Sequence, residues 1–152
     1  MSRSEIILLR EASIDSKILE EARSILSQMG IFYREELLPS SPSISQVRQL
    51  IEQIAQSVCI VAAGKSSYLL PIIAASVTQQ QPLIVMPCPS DQVPESYLDT
   101  LFDTVRGYPV AFTRAYDVQS AVLLAVHMLV SRHPSYADIL NAFIQRRHLQ
   151  PA

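Results

Sequence analysis

A short polar loop near the middle of the chain carries the residue types of an anion-binding site. The stretch from Val58 to Pro71 begins with a buried-strand pattern and ends in an apolar, helix-like segment. Between them lie Gly64, Lys65, Ser66 and Ser67. In an open α/β sheet this order places backbone amides, hydroxyls and one cation at the carboxyl end of a strand. Those groups suit a phosphate or a carboxylate. Alternatively, the loop is a tight turn that binds nothing.

The same loop does not complete a nucleotide-binding motif. Gly64, Lys65 and Ser66 resemble the end of a P-loop, but that motif requires a glycine five residues before Gly64. Cys59 stands at that position, and the whole chain has only three glycines. Neither a P-loop nor a dinucleotide-binding fingerprint is therefore expected.

Two further loops place polar side chains where strands are predicted to end. Ser13 and Asp15 follow the first strand, where they either cap the next helix, which is the favoured interpretation, or face a ligand. Ser90 and Asp91 follow the fourth strand, and capping or ligand contact suits them equally well. The three histidines all occur from position 127 onward, away from these loops. We therefore expect no Ser/His/Asp arrangement, no metal site and no cofactor.

Composition limits the classes of protein that the chain can belong to. Its 152 residues fit one domain, and a hydrophobic fraction of 49% with 17% charged residues excludes a disordered chain. A formal net charge of -2 argues against general nucleic-acid binding, which needs a basic face. The mean hydropathy is positive, and we attribute that excess to a buried subunit interface.

The cysteines and the apolar stretches indicate a reducing compartment. Cys59 and Cys88 lack the spacing of a metal site or a disulfide framework, so both are predicted to be small buried hydrophobes. The first ten residues do not form a secretory signal, and no apolar stretch is long enough to span a bilayer. We expect a cytoplasmic protein that does not contact membranes.

Hydrophobic periodicity predicts strands and helices in alternation. The predicted strands are Ile6–Leu9, Tyr33–Leu38, Val58–Val61, Leu83–Met86 and Val110–Thr113. The predicted helices are Asp15–Met29, Ser43 to about Gln56, Tyr68–Val77, Tyr97–Thr104, Asp117–Arg132 and Tyr136–Arg147. This pattern predicts a three-layer, flavodoxin-like α/β fold, with a parallel five-stranded sheet in the order 2-1-3-4-5 and an additional C-terminal helix.

Three loop motifs together resemble those of one known family. Ala63 to Ser67 occupies the place of a loop that typically reads AGRSN, and Met86 to Asp91 follows a CPPPSD pattern. Arg106 to Val110 is similar to RGIPV. From about Ile6 to Arg147 the chain thus resembles the aminoimidazole ribonucleotide (AIR) carboxylase and N-carboxyaminoimidazole ribonucleotide mutase family of purine synthesis, and most closely its carbon-dioxide-using branch. The resemblance implies one PurE-like domain over residues 1–152 and a homo-octamer with active sites at subunit boundaries.

The family's catalytic motifs are altered in this chain. The family's GSxSD motif, which holds the ribose phosphate, aligns with Glu11 to Asp15, so only the final aspartate is kept and a glutamate replaces the first glycine. The SAHK-type motif supplies the family's proton-transferring histidine, and it aligns with Leu37 to Ser40. Proline stands at the position of that histidine, and no histidine occurs before residue 127. The resemblance therefore implies that the fold is inherited and that the reaction is not.

Three hypotheses follow from these observations. In the leading one, the protein is a catalytically degenerate homologue that binds a phosphorylated sugar, a nucleotide or another anion. The residues assigned to that ligand are Ser13, Asp15, Ser40, Ser41, Gly64, Lys65, Ser66, Ser67, Ser90 and Asp91. In the second, the protein is an active enzyme that uses Asp91 or Glu11 as proton carrier. In the third, it is a structural oligomer whose vestigial pocket is filled by side chains such as Tyr68, Leu69 or Arg10.

Overall fold

The chain forms one parallel five-stranded sheet with helices on both faces. The computed structural model describes residues 5–38, 41–54, 57–64, 69–77, 81–91 and 94–149, apart from the side chains of Glu95, His148 and Leu149. The strands are β1 (Ile6–Glu11), β2 (Tyr33–Leu38), β3 (Val58–Ala63), β4 (Leu83–Pro87) and β5 (Val110–Phe112). The helices are α1 (Glu20–Met29), α2 (Ile44–Gln53), α3 (Leu69–Ser76), α4 (Leu98–Asp103), α5 (Val118–Val130) and α6 (Tyr136–Leu149).

The strand order is β2-β1-β3-β4-β5, which confirms the predicted topology. All neighbouring strands in this sheet are parallel. The register pairs Arg10 of β1 with Ala62 of β3, and Ala63 of β3 with Pro87 of β4. The carboxyl ends of these three strands therefore lie side by side along one edge of the sheet.

Alternating strand residues pack into two separate hydrophobic cores. Ile6 and Leu8 face the core shared with α1, α5 and α6, while Ile7 and Leu9 face the core shared with α2, α3 and α4. All four side chains are at most 1% exposed. A strand covered on both faces must be apolar at every position. This requirement explains the continuous apolar runs that marked the strands in the sequence.

Capping residues set the limits of the first two helices. The Ser43 hydroxyl accepts from the Gln46 N–H, and the Gln46 side chain accepts from the Ser43 N–H, which confirms the predicted capping box. Gly30 ends α1 with φ of +68°, a conformation that favours glycine. The predicted first helix differs in one respect, because residues 16–19 form a 3-10 turn before α1 begins at Glu20.

Candidate ligand-binding cleft

A polar cleft of about 420 Å³ lies at the carboxyl edge of the sheet. It is lined by Ser13, Ile14, Asp15, Ile18, Gly64, Cys88, Ser90, Asp91 and Tyr116. Five of these residues were predicted from the sequence, and they come from the loops that follow β1, β3 and β4. This volume is typical of small-molecule sites.

Several hydrogen bonds hold the loop after β1 in place. The Ile14 N–H donates to the Glu11 carbonyl at 3.0 Å, which closes a turn, and the Arg10 guanidinium donates to the Ile14 carbonyl. The Asp15 carboxylate accepts from the Lys17 N–H at 2.9 Å and so caps the 3-10 turn. Asp15 therefore acts as a cap, which was the favoured interpretation, and it also lines the cleft.

Glu11 is the least expected feature beside the cleft. This side chain is only 3% exposed, and its carboxylate accepts a hydrogen bond from the Gly64 N–H. The sequence predicts that this N–H binds an external anion, whereas in the structure it donates to a carboxylate of the same chain. The Ile14 side chain lies over the same glycine, because a Cβ placed on Gly64 would be 3.3 Å from Ile14 Cδ1.

Cys88 lines the cleft but is not a nucleophile at neutral pH. Burial raises the pKa of its thiol to about 12, and the nearby negative charge of Glu11 contributes to the same effect. The thiolate is the reactive form of cysteine, so this group stays protonated and unreactive. Cys59 and Cys88 are both free and buried, as predicted.

Tyr116 closes the β5 side of the cleft and was not predicted from the sequence. Its hydroxyl donates to the Pro89 carbonyl, and its N–H donates to the Pro87 carbonyl at 2.9 Å. Its φ of +56° is a conformation that a bulky residue rarely adopts without support from its surroundings. The sequence gives no sign of a positive φ at this position, because the residue is neither glycine nor asparagine, which adopt that conformation readily.

The remaining predicted site residues are not all brought to the cleft. Ser41 is exposed in the loop after β2 and is not among the described lining residues. Ser40, Lys65, Ser66 and Ser67 lie outside the described residues. Their assignment to a ligand remains a prediction.

The side chains suggested as fillers of a vestigial pocket lie elsewhere or outside the described residues. Leu69 is buried in the core between the sheet and α2 and α3. Arg10 braces the β1 loop through its bond to Ile14. Tyr68 lies outside the described part of the chain.

No histidine is among the described residues that line the cleft. His127 is exposed on α5. His133 lies 3.4 Å from Glu5, which precedes β1 and so belongs to the opposite edge of the sheet. Within the described residues there is also no group of three or more His, Cys, Asp or Glu side chains that could hold a metal ion. None of the described helices is long and apolar enough to cross a membrane.

The sheet order and the cleft define a flavodoxin-like α/β protein with a polar site at its strand ends. The sequence matches the AIR carboxylase family over residues 5–150. The chain therefore belongs to the AIR carboxylase family, as its loop motifs indicated.

Known relatives agree with this assignment at low sequence identity. The N5-carboxyaminoimidazole ribonucleotide mutase of Methanocaldococcus jannaschii is 24% identical over 144 residues, which cover 93% of this chain and 88% of that protein. The crystal structure of Treponema denticola PurE superposes with a TM-score of 0.79 at 20% identity, covering 94% of this chain and 90% of that one. A PurE2 variant from the same organism gives a TM-score of 0.81, also at 20% identity, covering 97% of this chain and 92% of that one. At these identities the two structural matches support the fold alone.

Proposed function

We propose that this chain is a catalytically degenerate member of the AIR carboxylase family that binds a ribose-containing small molecule in the cleft. The observation that carries this proposal is the convergence of Ser13, Asp15, Ser90 and Asp91 on one cleft of ligand size. Hydroxyl and carboxylate oxygens accept hydrogen bonds from sugar hydroxyls. Asp15 and Asp91 are both exposed and therefore accessible to a ligand.

The altered catalytic positions support the loss of the family's reaction. General acid–base catalysis contributes about 10²–10⁴-fold to a rate, and the described lining of the cleft contains no histidine. Glu11, one of the two alternative proton carriers, is buried and bonded to the Gly64 amide. Asp91 is the alternative carrier that is exposed at the cleft, so it is the residue on which an active enzyme would depend.

Isothermal titration tests the binding part of the proposal. The ligands are AIR, ribose 5-phosphate and a nucleoside monophosphate, each with its unphosphorylated counterpart, since the sequence favours an anionic ligand on residues 64–67. We expect heat with at least one of them. Asp15→Asn should weaken that binding about tenfold, because asparagine caps a helix as well as aspartate but removes the charge. Asp138→Asn, on the exposed surface of α6, is the matched control. Absence of heat with every ligand would exclude the proposal.

A turnover assay separates the degenerate homologue from an active enzyme. We expect no carboxylase, decarboxylase or mutase activity above the uncatalysed rate. Robust turnover that is lost in Asp91→Asn would instead establish an enzyme with a changed proton carrier.

We also infer that the protein is a cytoplasmic homo-oligomer, and the resemblance favours an octamer. Large apolar side chains remain exposed on the single chain, including Phe32 at 59%, Ile44 at 54% and Leu37 at 50%. Such residues are available for contacts between copies. Light scattering should give a mass of about eight times the 16.9 kDa chain, and a monomer at micromolar concentration would contradict this inference. Imaging of a fluorescent fusion tests the location.

A further inference from the structure

We propose that a second pocket, which lies among α1, α5 and α6, binds a phosphomonoester that carries a planar ring. This basic pocket has a volume of about 330 Å³. Its described lining consists of Gln28, Gln119, Phe143, Arg146 and Arg147, none of which lines the cleft. It is therefore a separate site, whatever the cleft binds.

Three helices bring these side chains together. α5 packs against both α1 and α6, and each helix contributes to the lining: Gln28 from α1, Gln119 from α5 and the other three residues from α6. On α6, Phe143 precedes Arg146 by three residues and Arg147 by four. Side chains at these spacings share one face of a helix. Both arginines therefore start from the helix face that carries the phenyl ring.

The charge of the described lining is entirely positive. It contains two guanidiniums and no carboxylate. Within the part of the chain that the structure describes, neither Arg146 nor Arg147 forms an ion pair, whereas Arg23, Arg34 and Arg106 each pair with a carboxylate of the same chain. A guanidinium presents its N–H donors in a planar fork that matches phosphate oxygens. Two such groups in one concavity, without a carboxylate in the described lining, favour an external anion.

Hydrogen bonds within the helices position part of this lining. Gln28 donates one N–H to the Ser24 hydroxyl at 3.2 Å, one turn earlier on α1, which leaves its second N–H for a ligand. The Arg146 Nε donates to the Ala142 carbonyl at 3.3 Å, and its terminal nitrogens have no partner among the described residues. Both side chains are thus partly ordered before binding, which lowers the entropic cost of ordering them on a ligand.

The size of the basic pocket and its aromatic side chain favour a ligand larger than inorganic phosphate. A volume of about 330 Å³ lies at the lower end of the range for small-molecule sites and exceeds what a phosphate ion fills. Phe143 is half-buried against the core beneath α5 and α6, so packing holds the ring while part of it stays accessible. A planar ring of the ligand can pack on this surface while its phosphate binds the guanidiniums.

Titrations with phenyl phosphate, inorganic phosphate and phenol test this site. None of the three contains ribose, which is the group assigned to the cleft. We expect phenyl phosphate to bind at least about tenfold more tightly than inorganic phosphate, and phenol not to bind. Arg146→Gln combined with Arg147→Gln should weaken the binding of phenyl phosphate at least about tenfold. Lysine at both positions should restore part of the affinity, because it keeps the charge but not the fork.

Matched variants separate the roles of charge and ring. Arg48→Gln combined with Arg106→Gln removes the same two charges from exposed positions outside the basic pocket, and it should change the affinity less than about twofold because distant charges are screened. Phe143→Leu should reduce the preference for phenyl phosphate over inorganic phosphate. An unchanged preference would overturn the role of the ring.

Three results would overturn the phosphate site itself. They are absence of phenyl phosphate binding at millimolar concentration, unchanged affinity in folded Arg146→Gln combined with Arg147→Gln, and an equal loss of affinity in the control pair. A smaller mass of that double variant in light scattering would assign the arginines to a contact between copies and would also overturn the site. The proposed function is measured with AIR, ribose 5-phosphate and Asp15→Asn, so either site can fail while the other stands.

Discussion

Replacement of Gly64 by alanine measures how closely Ile14 covers this edge of the cleft. Gly64 does not have a positive φ, so its backbone accepts alanine without strain. That change alone would stabilise the protein by about 0.4–1 kcal/mol through the entropy of the unfolded chain. The new methyl group, however, would lie 3.3 Å from Ile14 Cδ1.

We expect the crowding to outweigh the entropic gain. Extra carbon atoms in a packed site cost about 1–3 kcal/mol, so we expect Gly64→Ala to lower the free energy of unfolding by about 1 kcal/mol. For a chain of this length such a loss corresponds to a melting temperature lower by about 2–4 °C. Two of the three atoms nearest to the new methyl group belong to Ile14, so the cost should depend mainly on that side chain.

A double-mutant cycle with Ile14→Val identifies that partner. Valine lacks the Cδ1 atom and costs about 1 kcal/mol by itself. With Cδ1 absent, the entropic gain and the remaining 3.4 Å contacts to Ile14 Cγ1 and Glu11 Oε2 should roughly offset each other. Gly64→Ala should therefore cost almost nothing in the Ile14→Val background, which is a coupling of about 1 kcal/mol. Ile25→Val removes the same methyl group from α1, whose atoms are not among the three nearest to the new carbon. Its effect should add to that of Gly64→Ala.

Urea unfolding at one fixed protein concentration gives the four free energies, since the stability of an oligomer depends on concentration. Two results would refute the packing of Ile14 on Gly64. One is a Gly64→Ala variant more stable than the parent, and the other is strict additivity with Ile14→Val.

Three other perturbations probe the surroundings of the cleft and the fold. Tyr116→Phe removes the hydrogen bond to the Pro89 carbonyl and should lower the free energy of unfolding by up to about 1 kcal/mol in urea titrations; an unchanged midpoint would mean that the bond contributes nothing. Burial raises the pKa of the Cys59 and Cys88 thiols to about 12 from an ordinary 9.0, so the unfolded chain loses these protons first and stability should fall as the pH rises from 9 to 12. Cys59→Ala should flatten that profile, and an equally steep profile in the variant would contradict the assignment. Ser43→Ala removes the N-cap of α2 and should cost about 1 kcal/mol, measured by thermal unfolding against Ser45→Ala on the exposed surface of the same helix.

The secondary structure and sheet order were predictable because they depend on short-range patterns. The continuous apolar runs at Ile6–Leu9 and Val58–Val61 indicated strands covered on both faces, and the structure confirms both. Such strands pair in parallel when helices connect them. The sequence pattern of Ser43 and Gln46 was sufficient for the capping box, because both partners lie within one helical turn.

The location of the cleft followed from the same reasoning. Once the sheet is parallel, the loops after all its strands meet at one edge. The sequence therefore places five residues at one edge of the sheet, and all five line the cleft: Ser13, Asp15, Gly64, Ser90 and Asp91. Ser41 was assigned by the same reasoning, but it follows the edge strand β2 and is not among the described lining residues.

The interactions inside the cleft could not be derived from the chain alone. Glu11 and Gly64 are 53 residues apart, and Tyr116 and Pro89 are 27 apart. The sequence marked Glu11 only as the replacement of a family glycine and as an alternative proton carrier, because the polarity of a side chain does not specify where its carboxylate points. That direction depends on the β1–β3 register and on the packing of Ile14 over Gly64. Local periodicity encodes strands and helices, whereas contacts between distant loops form only when the sheet brings their ends together.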